Sequence, residues 1–304
     1  MNRRRFPAIR PAMAARVCLV LLLWLATLGW LIRFEACPER FTGRFEGYRS
    51  LFRGGVVVRS SWMRILADGA PIGYAHTEID SDERNPAAHT RIVSTMELAL
   101  NILGQRRQVA TDMTVSLDAL SRLQRFAFDL ESEGVRTQIT GTRAQGDQFR
   151  VLIKTGGASR SAAVTIPDEV MIDSPVLQQS LAALKPGQSQ TFRMLDPASL
   201  AITDVRVRAD RIEPIAVTGR TVQATVLAAD YQGMTVWTWV DPEGALLRQE
   251  TPLGWVLELC TPEEAMAFRA SSRRAAPELL AAAAVPVDRP IAAPRQVRRL
   301  EVRL

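Results

Sequence analysis

The stretch RSSWMRILADGAPIGYAHTEID, residues 59–80, decides how this chain is read. Trp62, Met63, Ile65 and Leu66 form an apolar run that stops at Asp68-Gly69, after which Ile72, Tyr74, His76 and Glu78 alternate with Gly73, Ala75, Thr77 and Ile79. An Asp-Gly pair between two such runs supplies the positive φ angles of a tight hairpin. The spacing predicts two antiparallel strands, and the residues downstream extend them into a sheet.

From residue 56 to residue 260 the dominant period is two. Ile92, Ser94, Met96, Leu98, Leu100 and Ile102 face one way, and Val109, Thr111, Met113, Val115 and Leu117 do the same in the next run, with Gly104 and Gln105 turning the chain between them. Phe126, Phe128 and Leu130 alternate with charged or small residues, Gly134 interrupts, Val135, Thr137 and Ile139 resume, and Phe149, Val151 and Ile153 follow a turn at residues 144–147. Alternation of this kind puts one face on a core and the other in water, as in consecutive antiparallel strands. The signal pauses over residues 167–190. There Asp173-Ser174-Pro175 reads as an N-cap with proline at the first helical position, residues 176–184 as one short helix and Lys185-Pro186-Gly187 as its stop. Strands return at 191–195, 205–212, 220–229, 234–240, 246–251 and 255–260. Thr261-Pro262-Glu263-Glu264 is a capping box, so a second short helix begins where the sheet ends.

Upstream, Arg3, Arg4, Arg5, Arg10 and Arg16 precede an uncharged apolar run over residues 17–32, closed by Arg33. The run is slightly short of the roughly twenty residues that span a bilayer, but arginines at both ends can snorkel. Arginines clustered on the N-terminal flank keep that flank in the cytoplasm. No small-x-small cleavage site follows the run, which favours an uncleaved anchor over a signal peptide. The expected organisation is a basic cytoplasmic segment (1–16), a transmembrane signal-anchor helix (17–33), a juxtamembrane spacer (34–55), a periplasmic antiparallel β domain (56–270) and a tail or linker rich in Ala, Pro and Arg (271–304), with a strand emerging at 297–304. The expected fold is mainly β: a large curved antiparallel sheet, half-barrel-like, with one or two short helices. The expected location is a bacterial inner membrane, crossed once, with the bulk of the chain in the periplasm.

The net charge of +6 invites a nucleic-acid reading. Roughly +5 sits in the first thirty-five residues and roughly +5 in the last thirty-six, which leaves the sheet region slightly acidic. A basic stripe interleaved with aromatics is therefore not expected on the sheet, and nucleic acid is not an expected partner. The basic tail suits contact with anionic lipid, or simply a solvated linker.

Chemistry is sparse. His76 and His89 are the two histidines, there is no Cys-x-x-Cys, no His-Glu-x-x-His, no phosphate-binding glycine loop and no Gly-x-Ser-x-Gly, so neither metal nor cofactor is expected. The three cysteines are Cys18, inside the apolar run, Cys37 and Cys260. The latter two are able to pair in an oxidising compartment if their Cα atoms come within range, or to remain free thiols. Cys260 precedes a helix start, the most reactive context in the chain, although a strand-end cysteine also serves as plain packing. Asp112, Asp129, Glu131 and Glu133 are dispersed, with no pair spaced for general acid and base roles. Two pairs remain as a candidate binding face. Tyr74 and His76 share a strand face with Glu78, and Trp237 and Trp239 share another; the first suits a groove wall or a solvated face, the second a stacking platform or core.

Two stretches carry a resemblance. Trp62-Met63, followed by residues 67–77, resembles the opening of the β-rich region that precedes the catalytic domain in bacterial exported transglutaminase-like proteins. Residues 285–291, Pro294-Arg295 and 297–304 are similar to the linker that leads into that domain. The opening hairpin also resembles periplasmic families of the lipoprotein-carrier type, in which a curved antiparallel sheet wraps a helix. The transglutaminase-like core needs a cysteine at a helix start, then a histidine and an aspartate on later strands, and the sequence stops where that core should begin, so no catalytic residue is carried over. What the resemblance implies is a membrane-anchored accessory module that binds a protein partner or an apolar ligand. Two alternatives remain beside it: the regulatory or substrate-presenting half of a transglutaminase-like cysteine peptidase, and a carrier of lipid or lipoprotein.

Overall fold

The computed structural model describes residues 47–52, 59–81, 85, 88–102, 105–172, 181, 183–231 and 233–272. The anchor at 17–33 with its basic flank 1–16, most of the spacer 34–55, Cys18 and Cys37, most of the 176–184 helix and the tail from 273 onward lie outside the described residues. No helix among the described residues is long and apolar enough to cross a membrane.

The described residues build one 15-stranded sheet. Strand β1 (Arg59–Ala67) and β2 (Ala70–Ser81) are the expected hairpin, and Asp68 and Gly69 between them take φ values of 49° and 75°. An antiparallel meander continues through β3 (Thr90–Ile102), β4 (Gln105–Leu117), β5 (Leu123–Ser132), β6 (Val135–Gln145), β7 (Gln148–Thr155) and β8 (Ala158–Thr165). The chain then restarts at β9 (Val170–Ile172) and runs through β10 (Ser189–Leu195), β11 (Ile202–Val217), β12 (Arg220–Tyr231), β13 (Met234–Val240), β14 (Leu246–Glu250) and β15 (Trp255–Cys260). The last strand pairs with the first, Trp62 opposite Cys260 and Ala67 opposite Trp255, so β1 stands at the centre of the order and two arms lead away from it. Only β9 and β10 run parallel.

Among the described residues two helices accompany the sheet over their full length, α1 (Tyr48–Leu51) and α2 (Pro262–Ser272). The capping box forms as the sequence predicts: the Thr261 amide donates to Glu264 Oε2 at 2.9 Å and the Glu264 amide to Thr261 Oγ1 at 3.2 Å. Of the 176–184 helix, Leu181 is helical and buried in the core, and Leu184 packs against it.

The two edge strands, β8 and β9, are separated by four residues of sequence. Laid flat, fifteen strands measure about 67 Å across, whereas the steps from Thr165 to Val170 reach about 18 Å at most. The sheet must therefore roll until its edges approach. Its inner face fills accordingly: Ile79, Ile92, Val115, Phe126, Gly141 and Val151 occupy one register row across β2 to β7, and they pack with Phe149, Val170, Phe192, Val205, Val207, Leu227 and Val240 from both arms. Gly141 is required there, since a Cβ at that position would stand 2.0 Å from the Phe126 ring.

Asp168, in the four-residue link, accepts from Arg143 Nη2 at 2.7 Å and from Arg49 Nη2 at 3.0 Å. Arg143 also donates to the carbonyls of Leu123 at 2.6 Å and Gly146 at 2.7 Å, and its guanidinium lies over the Phe149 ring. The Tyr48 hydroxyl receives the Ile172 amide at 3.1 Å and so fastens β9.

A second carboxylate organises the turn between β4 and β5. Asp118 accepts from the Leu120 and Arg122 amides, both at 2.9 Å, from Arg122 Nε at 2.8 Å and from Gln124 Nε2 at 2.9 Å. Burial pushes its pKa up, but the hydrogen bonds from Arg122 and Leu120 outweigh that and hold it below the ordinary 3.8.

Two predictions follow from these carboxylates. Asp168→Ala should cost about 2–4 kcal/mol in urea unfolding, because it leaves the largely buried Arg143 guanidinium only the more distant and exposed Asp147 and removes the partner of Arg49, whereas Arg136→Ala, which breaks an exposed pair with Asp129, should cost about 0–1 kcal/mol. Asp118→Asn should destabilise by about 1–3 kcal/mol at pH 7. A depressed folded-state pKa gives stability that is complete above the unfolded value and lost as pH falls through the folded one. The gap between wild type and Asp118→Asn should hold above about pH 5 and close below about pH 4.

Candidate functional site

Cross-strand register places all four candidate residues on one face of the sheet, the face opposite the large core. Glu97, Tyr74, Arg64, Glu258, Arg248, Trp239, Val226 and Arg211 follow one another as direct partners from β3 to β11 through the β1–β15 junction. Tyr74 and Trp239 lie in that row, four strand spacings or about 19 Å apart. They form two stations on a single band rather than one pocket.

At the first station His76 sits opposite Trp62, with ring centroids 3.9 Å apart and planes 18° from parallel, and its Nε2 lies 2.9 Å from Ser60 Oγ. The Tyr74 hydroxyl donates to Glu97 at 3.0 Å, beneath α2, whose Arg269 lies 2.7 Å from Glu97 and 5.9 Å from the Tyr74 ring centroid. At the second, Trp239 Nε1 donates to Glu213 at 2.6 Å, and Arg248 and Arg211 lie over the rings of Trp239 and Trp237. Between the stations Arg64 and Arg248 both bind Glu258 at 2.8 Å, and Arg248 also binds Glu250 at 2.7 Å. Tyr74, Trp237 and Trp239 each carry a guanidinium, from Arg269, Arg211 and Arg248, and each of these is tied to a carboxylate.

Burial, then the hydrogen bond and charge of Glu97, raise the Tyr74 pKa above 10.0. Burial lowers that of His76 below 6.5. The Cys260 thiol, buried against Tyr74 and Ala265, is pushed up to about 11 by burial and then by the charge of Glu264, which together outweigh the opposing charge and backbone hydrogen bond of Arg64. Trp62 is the register partner of both Cys260 and His76 and stands between them, which leaves the two about 10 Å apart by strand spacing. Asp112 faces Asp129 directly across β4 and β5, a pairing the sequence spacing does not reveal. Asp112 accepts from Thr95, and Asp129 from Arg136 and Gln138. Among the described residues no group of three or more His, Cys, Asp or Glu is placed to hold a metal ion.

Two further features lie outside the sequence-derived set. A cavity of about 550 Å³ opens beside β3 and β4, where Arg106, Arg107 and Arg269 face Glu97, Glu131 and Glu133, three charges of each sign. On the core-bearing face, Ala75, Met96, Met113, Phe128, Leu130 and Ile153 remain only partly buried and form an apolar strip between two packed clusters. The signal for that strip was present: Ser94, Thr111, Thr137 and Thr155 interrupt the inward-facing period where an interior sealed from water would be aliphatic.

No family model matches the chain, and no curated protein matches it. It is similar to the solved structure of a β-barrel-like protein of a domain of unknown function, DUF1849, from Brucella abortus, at 10% identity and a TM-score of 0.47, covering 67% of this chain and 98% of that one. It is also similar to a DUF1089 family protein from Pseudomonas aeruginosa, at 15% identity and a TM-score of 0.34, covering 59% and 89%.

The thiol provides a direct check on the chemistry of the face. With Cys18 and Cys37 replaced by serine, alkylation of Cys260 by iodoacetamide at pH 8 should be at least about 100-fold slower in the folded chain than in urea, since a pKa near 11 leaves about one thiolate in a thousand.

Proposed function

We propose that the chain is a membrane-tethered periplasmic binding module without a reaction of its own, of the accessory type suggested by its resemblance to the β-rich region of transglutaminase-like proteins. The anchor over residues 17–33 would hold it to the inner membrane and leave the sheet in the periplasm. Its ligand would be an apolar molecule or an apolar segment of a partner protein, received on the inner strip of Met96, Met113, Phe128, Leu130 and Ile153. The observation that carries this reading is the partial exposure of that strip beside a core whose members are sealed from water. Two methionines among the strip residues favour an adaptable apolar surface.

The alternatives draw unequal support. A deep lipid tunnel through the sheet would need the space now filled by Phe126, Phe149, Phe192 and Val240, each at most 1% exposed. The regulatory half of a cysteine peptidase is compatible with the high Cys260 pKa, because the nucleophile would come from another chain.

The strip is tested with 1-anilinonaphthalene-8-sulfonate, using the full chain in lipid nanodiscs and protein-free nanodiscs as the blank. Saturable fluorescence enhancement is expected, weakened at least ten-fold by Met113→Asp with the thermal midpoint little changed. An enhancement identical in wild type and variant would remove the strip as the binding surface.

A further inference from the structure

The rolled sheet has two edges of very different character. Strand β9 is three residues long and wholly buried. Strand β8 is eight residues long, and every residue but Val164 is exposed. Among the described residues no strand pairs with its outer side.

The geometry of the β7–β8 hairpin fixes which backbone groups are unpaired. Thr155 and Ala158 close a two-residue loop in which Gly156 and Gly157 have φ values of 53° and 87°, the signature of a type I′ turn. The closing pair of such a turn exchanges hydrogen bonds, and bonded and non-bonded pairs then alternate. Ala158, Arg160, Ala162 and Val164 therefore direct their amides and carbonyls to β7. Ser159, Ser161, Ala163 and Thr165 direct theirs to the open side.

Edge strands are ordinarily blunted by proline, a bulge, shortness, charged side chains or a covering element, and of these β8 has a single charge. Strand β8 has no proline, its register with β7 runs without a shift, and its side chains are mostly small. Its one charged residue, Arg160, stands opposite the core-packed Ile153, while Arg150 and Lys154 stand on the opposite face of β7. Neither β7 nor β8 contains a carboxylate, and among the described residues none of these three cations stands in an ion pair. A second copy of the chain, pairing β8 to β8, would bring the same three charges against them. Acidic side chains would find cations waiting on both faces.

We propose that β8 is a docking edge to which an extended, acidic segment of a partner protein adds as a further strand. Main-chain bonds to Ser159, Ser161, Ala163 and Thr165 would supply the affinity, and Arg150, Lys154 and Arg160 the selectivity. This deepens the binding-module reading and rests on it only in requiring a bound partner, since the edge and the apolar strip are separate surfaces.

The test uses the full chain in nanodiscs and two fluorescein-labelled eight-residue peptides, one alternating Glu with Val and Thr, the other with Lys in place of Glu. Fluorescence anisotropy should show the acidic peptide binding at least ten-fold tighter than the basic one, with an affinity that falls as salt rises. Ser161→Pro removes an outward amide without touching the β7 ladder and should weaken binding at least ten-fold, as should Arg160→Glu. In the wild type, hydrogen exchange at Ser159, Ser161, Ala163 and Thr165 should slow when the peptide binds, which reads the edge without any substitution. Equal binding of both peptides, no binding of the acidic one, or unchanged exchange at those four amides would overturn the proposal. If the edge fails while Met113→Asp still abolishes dye binding, the module reading survives it; the converse pattern would leave the edge and remove the strip.

Discussion

Four residues, Ile166 to Glu169, join strands that stand at opposite ends of a fifteen-strand order, and this constraint governs the rest of the molecule. A chain that short cannot cross a flat sheet, so the sheet rolls, and rolling encloses one of its faces. The enclosed face collects the aliphatic and aromatic residues of both arms into one cluster. The link itself carries a carboxylate gripped by arginines from two distant segments, Arg49 and Arg143, while Tyr48 ties down the strand that follows. The closure is thus made by side chains and core packing, and the two edge strands do not pair with each other.

Rolling also determines what the outer face is able to do. Residues that share a register row there are held about 5 Å apart by the ladder, close enough for Arg64, Glu258, Arg248 and Glu250 to satisfy one another. Tyr74, Trp237 and Trp239 join the same network, each beneath a guanidinium. Such a surface is rigid and electrically quiet. It holds a cysteine, an imidazole and carboxylates, yet Trp62 separates the thiol from the ring and burial raises the one pKa and lowers the other.

Much of this was legible in the sequence, and the exceptions have physical causes. Asp68-Gly69 announced the central hairpin and Thr261–Glu264 the helix start, because turns and caps depend on local chemistry alone. Strand β8 was not legible: ASRSAAVT lies at an edge with both faces in water, so it has no apolar period. Strand β9 was missed for the opposite reason, since three consecutive buried residues have no period either. Pro214 ends the strand signal at Ile212, yet β11 continues to Val217, because Pro214 faces Gln223 in a ladder that tolerates the missing amide. For the candidate face, the parity of Tyr74 with His76 and of Trp237 with Trp239 was plain. That both pairs belong to one band depends on β1 meeting β15, residues almost two hundred positions apart, and no local pattern encodes that contact.

The two arms divide the work between them. From β9 to β14 Phe192, Val205, Val207, Leu227 and Val240 are buried on the inward face, the edge is three buried residues and the outer face carries ion pairs. From β2 to β8 the inner face keeps partly exposed methionines, a phenylalanine and an isoleucine, and the edge is long, basic and unpaired among the described residues. A sheet rolled about one central strand has no geometric reason to treat its arms differently, so the asymmetry lies in the side chains. On the second arm Ser94, Thr111 and Thr137 interrupt the inward apolar period, and Met96, Met113 and Phe128 beside them stay partly exposed. In the proposed module, recognition would fall to the arm from β2 to β8, with β1 as the boundary.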